Sequence, residues 1–199
     1  MDKNKEIFEE FKRKSAAVST TIITAGTLME AADYALRLCS EKVFSRPASP
    51  DGYAAGKVLA APEVPEYVLA RLTQTGRQPG EAPGVEVISA GLRERMDGID
   101  VGFTMADMGI ADTGTVVMRC FSEDTRLASM IAETHVMALP ASRIVGTSRE
   151  AEAFLREGMK EPMYTAFISG CSRTSDIERV LTLGVHGPLE LHIVLTEEA

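Results

Sequence analysis

The spacing of hydrophobic residues predicts a helix, a strand and a second helix in the first part of the chain. Apolar residues recur at the interval of a helical turn within residues 3–14, which indicates an amphipathic helix. A β-branched run within residues 17–24 predicts a short strand. Thr27, followed three residues later by Glu30, is a capping-box pattern and predicts the start of the second helix. Residues 1–44 are therefore expected to form this helix–strand–helix part.

The second half of the chain alternates more regularly between apolar runs and polar segments. Apolar runs predict strands at residues 85–90, 100–104, 115–121, 134–139, 143–146, 163–168 and 189–195. A helix is expected over residues 148–160, with Ser148 as its N-cap. Between the two halves, residues 45–84 are rich in proline and glycine and predict loops, with at most a short helix at residues 67–72.

This order of elements predicts an α/β protein. Short buried strands interleaved with helices are typical of a mainly parallel sheet flanked by helices, and no linker long enough to separate domains is present. We therefore expect a single domain over residues 1–199, with most of the predicted strands in residues 85–199. Ligands of such sheets bind beyond the carboxyl ends of the strands. Attention thus falls on the polar segments that follow the strands at 100–104 and 163–168.

The segment after the strand at 100–104 combines acidic, hydroxyl and glycine residues. The candidates for ligand or anion binding are Thr104, Asp107, Thr113, Gly114 and Thr115. Glycines allow a backbone to approach a ligand, and successive N–H groups beside hydroxyls can form an anion-binding nest. The same spacing also suits a tight connection in which Asp and Thr side chains bond to local backbone groups. From spacing alone, this structural interpretation is the favoured one.

The segment SGCSRTSDIE (169–178) follows the strand at 163–168 and raises a similar question. Its candidate anion-binding residues are Ser172, Arg173, Thr174 and Asp176. Ser175 and Glu178 form a capping-box pattern that predicts a short helix. A guanidinium just ahead of free helix-end N–H groups suits a phosphate or carboxylate. Neutralisation of Arg173 by nearby acids is an equally good interpretation. We also predict that the carboxyl ends of the strands at 100–104 and 163–168 lie side by side and bring Asp107, Thr113 and Arg173 around one cleft.

Composition and charge exclude several classes of function. The 199 residues are 45% hydrophobic and 25% charged, which is ordinary for a globular protein. A net charge of −8 argues against nucleic-acid or polybasic membrane binding. The charged amino terminus does not resemble a signal peptide, and no apolar run is long enough to span a membrane. A cytoplasmic location is therefore expected.

Few residues in the chain suit a metal or a cofactor. Cys39, Cys120 and Cys171 are far apart and form no Cys-x-x-Cys pair, so no cysteine cluster is expected to bind iron and sulfide. No metal site is predicted, because His186 and His192 lack a ligand-spacing motif. His186 lies in a glycine-flanked turn and, together with Asp107, is a candidate for general acid–base catalysis.

Two long segments resemble signature regions of the LUD-domain family. They are FTMADMGIADTGTVV, which begins at residue 103, and SGCSRTSDIERVLTLGVHGPLELHIVL, which begins at residue 169. The chain departs from the family pattern at Asp112, where a glutamate is usual, and at Cys171 and Ser175, where proline and alanine are usual. The resemblance implies a fold like that of the NagB/RpiA/CoA-transferase group. It also implies a part in the oxidation of lactate to pyruvate together with iron–sulfur partner proteins.

The resemblance leaves the chemical task of the chain open. One hypothesis is a subunit of a lactate-oxidising complex that binds a small anion or an organic cofactor of unknown identity. Another is a non-catalytic scaffold or regulatory subunit of that complex. A third is a free-standing enzyme acting on a phosphorylated sugar, a CoA ester or a folate, which rests on fold analogy alone.

Overall fold

The computed structural model describes residues 3–44, 56–76, 84–95, 98–158, 160, 163–174, 182–183 and 187–197. The helices are α1 (Lys3–Ala17), α2 (Leu28–Glu41), α3 (Glu66–Gly76), α4 (Glu123–Ile131) and α5 (Glu152–Gly158). The strands are β1 (Thr20–Ala25), β2 (Lys57–Ala60), β3 (Val85–Ile88), β4 (Val101–Met105), β5 (Met108–Ile110), β6 (Thr115–Cys120), β7 (Thr134–Pro140), β8 (Ile144–Val145), β9 (Tyr164–Ile168), β10 (Arg173–Thr174), β11 (Thr182–Leu183) and β12 (Glu190–Thr196). None of the helices in these ranges is long and apolar enough to cross a membrane.

A six-stranded parallel sheet forms the framework of the molecule. Its strand order is β1-β12-β7-β4-β2-β3, and every neighbouring pair is parallel. A second sheet has the order β8-β5-β6-β9 and is mostly antiparallel. The predicted α/β class, with a mainly parallel sheet and flanking helices, is confirmed.

Both faces of the large sheet are buried. Along β7, Val136 and Ala138 pack into the cluster that contains the apolar residues of α2 and α3. Met137 and Leu139, on the opposite face, pack with Phe11 of α1 and with residues of the second sheet. Successive side chains of a strand point to opposite faces, so a strand covered on both sides reads as a continuous apolar run. This explains why the strand at 134–139 was predicted correctly.

The second helix begins as its sequence predicts. Thr27 is the N-cap of α2, and its Oγ1 accepts a hydrogen bond from the backbone N of Glu30 at 3.1 Å. The Glu30 carboxylate accepts a hydrogen bond from the backbone N of Gly26 at 2.7 Å, one residue earlier than a standard capping box requires. Two otherwise free N–H groups are thereby satisfied at the point where the chain leaves β1.

Several local predictions were wrong. Strand β2 lies inside the sheet, although it falls within the segment expected to be irregular, and helix α4 was not predicted. The run of β2 is only four residues long, too short for periodicity to identify it. The segment after β4 was expected to be a loop but contains β5 and a hairpin turn. Strand β9 pairs with β6 in the second sheet, so it does not lie beside β4 as expected.

Candidate functional site

A cleft of about 370 Å³ lies at the carboxyl ends of the parallel strands, and we call it the strand-end cleft. Its walls come from the carboxyl ends of β4, β7 and β12, from the segments after β2, β4 and β7, from the end of β6 and the residue after it, and from residues of α2, α3 and α4. The lining residues are Leu28, Pro62, Glu63, Pro65, Tyr67, Met105, Ala106, Asp107, Arg119, Phe121, Thr125, Ala138, Pro140, Arg143 and Thr196. This is the position at which open α/β sheets bind their ligands.

Asp107 and Arg119 form a closely bonded pair in this cleft. Asp107 Oδ1 accepts hydrogen bonds from Arg119 Nε at 3.0 Å and from a terminal guanidinium nitrogen at 2.7 Å. Asp107 Oδ2 accepts a hydrogen bond from the backbone N of Arg119 at 2.7 Å. The guanidinium carbon also lies 5.5 Å from the ring centroid of Phe121 and 4.6 Å from that of Phe154. Arg119 is therefore fixed in place, and Asp107 neutralises its charge.

Two other charged residues of the cleft are unpaired within the described part of the chain. Arg143 follows β7 and is exposed, and Glu63 follows β2 and is exposed. Neither forms a hydrogen bond or an ion pair with a described residue, and they do not pair with each other. Glu63 also has a φ of 54°, a backbone conformation that is unfavourable for residues with a side chain. Such strain is concentrated at functional sites.

Large apolar side chains are exposed at the rim of the cleft. Tyr67 is 59% exposed and Phe121 is 68% exposed, while Met105 forms part of the wall at the end of β4. Exposed aromatic groups grouped around a cavity with a few polar residues are typical of sites for organic ligands.

Of the residues predicted from sequence, Asp107 lines the cleft and Thr104 lies below its surface. Thr104 is 1% exposed, and its Oγ1 is 2.8 Å from His135 Nε2. Complete burial lowers the pKa of His135 from 6.5 to about 3, so the imidazole is neutral at physiological pH. The hydroxyl of Thr104 is thus engaged inside the core. The catalytic role suggested for Asp107 stays a prediction.

Thr113, Gly114 and Thr115 lie at the far end of the β5–β6 hairpin from Asp107. Three strand residues separate Asp107 from the turn, which corresponds to roughly 10 Å. Gly114 has a φ of 65°, and a Cβ added to it would lie 2.5 Å from the backbone N of Ser15. The glycine therefore allows close packing against α1. The interpretation of this segment as a tight connection between strands accounts for the packing of Gly114 against α1.

The two family-like segments meet through the second sheet. Strand β6 pairs with β9, and Thr115 Oγ1 lies 2.7 Å from both Thr113 Oγ1 and Ser169 Oγ. This contact joins the start of the segment at 169 to the hairpin turn. It forms a small group of hydroxyls at a distance from the strand-end cleft.

Ser172 lies near the amino ends of the parallel strands. Its backbone N donates a hydrogen bond to the carbonyl of Pro188 at 2.9 Å, just before β12 begins, whereas Asp107 is beside the carboxyl end of β7. At about 3.3 Å per residue, the two positions are roughly 15 Å apart. Arg173 and Thr174 follow directly and form the short strand β10. The expectation of one cleft shared by Asp107 and Arg173 is therefore wrong.

Three further predictions lie outside the described residues. They concern Asp176, His186 and the short helix expected to begin near Ser175.

A second polar cluster lies at the amino end of β12 and β7. His192 Nδ1 is 2.7 Å from the Tyr34 hydroxyl, and His192 Nε2 is 3.2 Å from Glu190 Oε2. Lys42 Nζ lies 2.9 Å from Glu190 Oε2 and donates a hydrogen bond to Thr134 Oγ1 at 2.6 Å. Burial lowers the pKa of His192, although Glu190 opposes the shift. Each group has a partner, as expected of a structural network.

The cysteines are buried in the cores on the two faces of the large sheet. Cys39 lies in the core beneath α2, whereas Cys120 and Cys171 belong to the core on the other face of the sheet. Burial raises the pKa of the Cys120 thiol to about 11. Among the described residues, no three His, Cys, Asp or Glu side chains are grouped in a way that could hold a metal ion.

Sequence reasoning missed Arg119, Arg143 and Glu63. Arg119 lies inside an apolar strand, where a lone charge gives no functional pattern, and Glu63 lies in a proline-rich segment expected to be a loop. The available signal for Arg143 was its position directly after the strand at 134–139. The rule that ligands bind beyond carboxyl ends applied to that strand as well.

The parallel sheet and the cleft at its carboxyl ends define an α/β protein with an open sheet covered by helices. The chain belongs to the LUD domain family, whose model matches residues 8–196. It is 31% identical over 156 residues to lactate utilization protein C from Geobacillus thermodenitrificans, covering 73% of this chain and 65% of that protein. It is 35% identical over 105 residues to lactate utilization protein C from Anoxybacillus flavithermus, covering 52% of this chain and 47% of that protein. The chain thus spans less than two thirds of these relatives.

A solved structure supports the fold assignment. A crystal structure of a DUF162 family protein from Deinococcus radiodurans matches with a TM-score of 0.61 and 20% identity. The match covers 97% of this chain and 98% of that one. At this level of identity, the similarity concerns the fold alone.

Proposed function

We propose that this chain is a lactate utilization subunit that binds a small anionic ligand or cofactor in the strand-end cleft. Membership of the LUD domain family and the names of the relatives support the metabolic role. The observation that carries the binding role is Arg143, an exposed cation in the cleft with no partner among the described residues. An arginine in such a position can bond a carboxylate or a phosphate through two parallel N–H groups.

The cleft offers the proposed ligand an ordered site. The Asp107–Arg119 pair is part of its wall, so those two side chains already have fixed positions. Arg143 and Glu63 supply the charges that are not neutralised within the protein, as far as the described residues show. A ligand that bonds to Arg143 therefore need not displace an internal counter-ion. The fixed wall and the absence of a counter-ion to displace both lower the free-energy cost of binding.

In this proposal, iron–sulfur partner proteins carry the electrons released by lactate oxidation. Conversion of lactate to pyruvate removes two electrons and two protons, so a redox carrier must accept them. The family resemblance supports iron–sulfur proteins in that role. Cys39 lies in the core on one face of the sheet and Cys120 and Cys171 in the core on the other, and none of them is assigned a part in electron transfer.

Growth on defined carbon sources tests the metabolic role. Cells that lack this chain are expected to grow on pyruvate and to grow poorly on lactate, because only the oxidation step depends on the chain. Expression of the unaltered chain should restore growth on lactate. Equal growth of the deleted and unaltered cells on lactate, in the absence of a second gene copy, would contradict the proposal.

A chain altered only at the cleft separates ligand binding from a scaffold role. Arg143→Ala should fail to restore growth on lactate even though the protein accumulates normally. Arg149→Ala is the matched control, since Arg149 is also exposed but does not line the cleft. If both variants restore growth fully, the chain acts as a scaffold and the cleft is not its functional site.

A further inference from the structure

We propose that the ligand of the strand-end cleft is an aromatic organic anion whose ring also carries a hydrogen-bond donor. This inference rests on the proposed function in one respect, namely that the cleft is a ligand site. It adds the chemical class of the ligand, which differs from that of lactate. Three features of the cleft carry it: its size, its aromatic rim and two opposite charges that do not meet.

The size of the cleft exceeds that needed for a three-carbon acid. Its volume of about 370 Å³ falls within the range of roughly 300–1,000 Å³ that is typical of sites for drug-sized molecules. A ligand as small as lactate would leave most of the cleft filled with water and could reach only one part of the wall. The volume suits a molecule with a ring and at least one substituent.

The rim of the cleft suits a planar apolar group. Tyr67 and Phe121 are both more than half exposed, and Met105 lies with them in the lining. Aromatic rings gain from offset or edge-to-face contact with another ring, and a thioether packs well against one. The Arg119 guanidinium, held by Asp107 and lying near Phe121, adds a flat cationic surface to the same wall. An aromatic body would cover side chains that otherwise face water.

The unpaired charges define what the ligand must carry at its ends. Arg143 and Glu63 line the same cleft, yet no nitrogen of Arg143 lies within 4.0 Å of a Glu63 carboxylate oxygen. Arg143 can donate to a carboxylate or a phosphate, whereas Glu63 can accept from an N–H or O–H group. A molecule with an anionic group and a ring donor satisfies both residues at once. A simple anion would satisfy only Arg143 and would leave Glu63 unpaired.

Four small probes test this class of ligand. 4-Aminobenzoate has the ring, the anionic group and the donor, whereas benzoate lacks the amino donor, aniline lacks the carboxylate and lactate lacks the ring. Their affinities are measured by titration of backbone amide NMR shifts of the full chain. 4-Aminobenzoate should bind most tightly, with shifts centred on the cleft. Benzoate lacks the donor and should bind about tenfold more weakly, while aniline and lactate should bind at least about tenfold more weakly.

Two variants assign each feature to its residue. Arg143→Gln should lower the affinity for 4-aminobenzoate by about tenfold or more, as expected for the loss of one charge-assisted contact. The affinity for aniline, which has no anionic group, should not change. Glu63→Ala removes the carboxylate acceptor, so it should reduce the affinity for 4-aminobenzoate to about that for benzoate and should not weaken the binding of benzoate. Arg149→Gln is the control for loss of a surface charge and should match the unaltered chain. Because both cleft residues are exposed, the variants are expected to fold.

The results separate this inference from the proposed function. The inference is overturned if lactate binds as tightly as 4-aminobenzoate, if 4-aminobenzoate does not bind in the cleft, or if both variants weaken all probes equally. If the aromatic probes fail to bind but Arg143→Ala abolishes growth on lactate, the proposed function stands and the ligand class is wrong. If the probes bind as expected but cells lacking the chain grow on lactate, the ligand class stands and the proposed function is wrong.

Discussion

Arg119 and Arg143 line the same cleft, but their surroundings give them different roles. Arg119 is bonded through its side chain and its backbone N to Asp107, and it lies near two phenylalanine rings. Arg143 is exposed and, within the described residues, makes no such contacts. A bonded arginine shapes the wall of a site, whereas an unpaired one remains available to a ligand. The sequence does not distinguish these two roles, because they depend on neighbours that are distant along the chain.

Loss of the Asp107 carboxylate should destabilise the fold. Asp107→Ala removes three hydrogen bonds and leaves the Arg119 backbone N without its acceptor, so a loss of about 2–3 kcal/mol in the free energy of unfolding is expected. Urea denaturation measures it. Asp33→Ala is the control, because the Asp33–Arg71 pair is exposed and should contribute less than about 1 kcal/mol. Equal losses in the two variants would show that Asp107 is not a structural residue.

His135 should make the stability depend on pH in the acidic range. Its pKa is lowered by burial from 6.5 to about 3, so below pH 6.5 the unfolded chain binds a proton that the folded chain does not. Stability should therefore fall as the pH falls from 6.5 towards 3, by about 1.4 kcal/mol per pH unit from this group. His192, whose pKa is also lowered, acts in the same direction.

Comparison with a variant isolates this effect. His135→Gln keeps a polar group beside Thr104 but cannot titrate. Between pH 7 and pH 5, the unaltered chain should lose about 2 kcal/mol more of its unfolding free energy than the variant, since about 1.5 of those pH units lie below the unfolded pKa. Parallel losses in urea denaturation at the two pH values would mean that His135 titrates alike in both states.

At the scale of elements, predictions succeeded where a segment carries its own signal. The capping residues of α2 and the apolar run of β7 identify these elements without reference to the rest of the fold. Strand β2 and helix α4 depend on tertiary packing instead. Val58 and Ala60 are buried only because α4 and the turn at 92–95 cover that face of the sheet. A four-residue run between proline-rich segments carries too little local information to reveal this arrangement.

The turn between β5 and β6 should be intolerant of a side chain at Gly114. Gly114→Ala combines a left-handed backbone with a Cβ that would lie 2.5 Å from the backbone of Ser15, so α1 would have to shift. Gly91→Ala is the matched control, because Gly91 has a φ of 73° but no atom within 4 Å of the added Cβ.

The difference between these two variants measures the packing of α1. Gly91→Ala should cost about 1–2 kcal/mol of unfolding free energy from the backbone alone. Gly114→Ala should cost at least about 2 kcal/mol more, as expected when a well-packed region is overfilled. Thermal or urea denaturation gives both values. A cost for Gly114→Ala no larger than that for Gly91→Ala would indicate that the turn does not pack against α1 as described.

At the scale of the whole molecule, the sequence predicted the class of fold and directed attention to the carboxyl ends of the strands, but it did not show which segments reach those ends. The rule for open α/β sheets was applied to the strand at 163–168 as if it belonged to the main sheet. That strand pairs with β6 in the second sheet, and the segment after it runs to the amino ends of the parallel strands. Pairing between strands distant in sequence is not encoded in the apolar pattern of either strand alone.

The central claim is that function resides at the carboxyl ends of the parallel strands, where Arg143 lies, and not near Ser172, where β10 begins. The most direct test compares growth on lactate of cells that carry either Arg143→Ala or Arg173→Ala, with the amount of protein matched. We expect Arg143→Ala to slow growth on lactate severely, while Arg173→Ala grows like the unaltered chain. Severe loss in Arg173→Ala together with normal growth in Arg143→Ala would contradict the account.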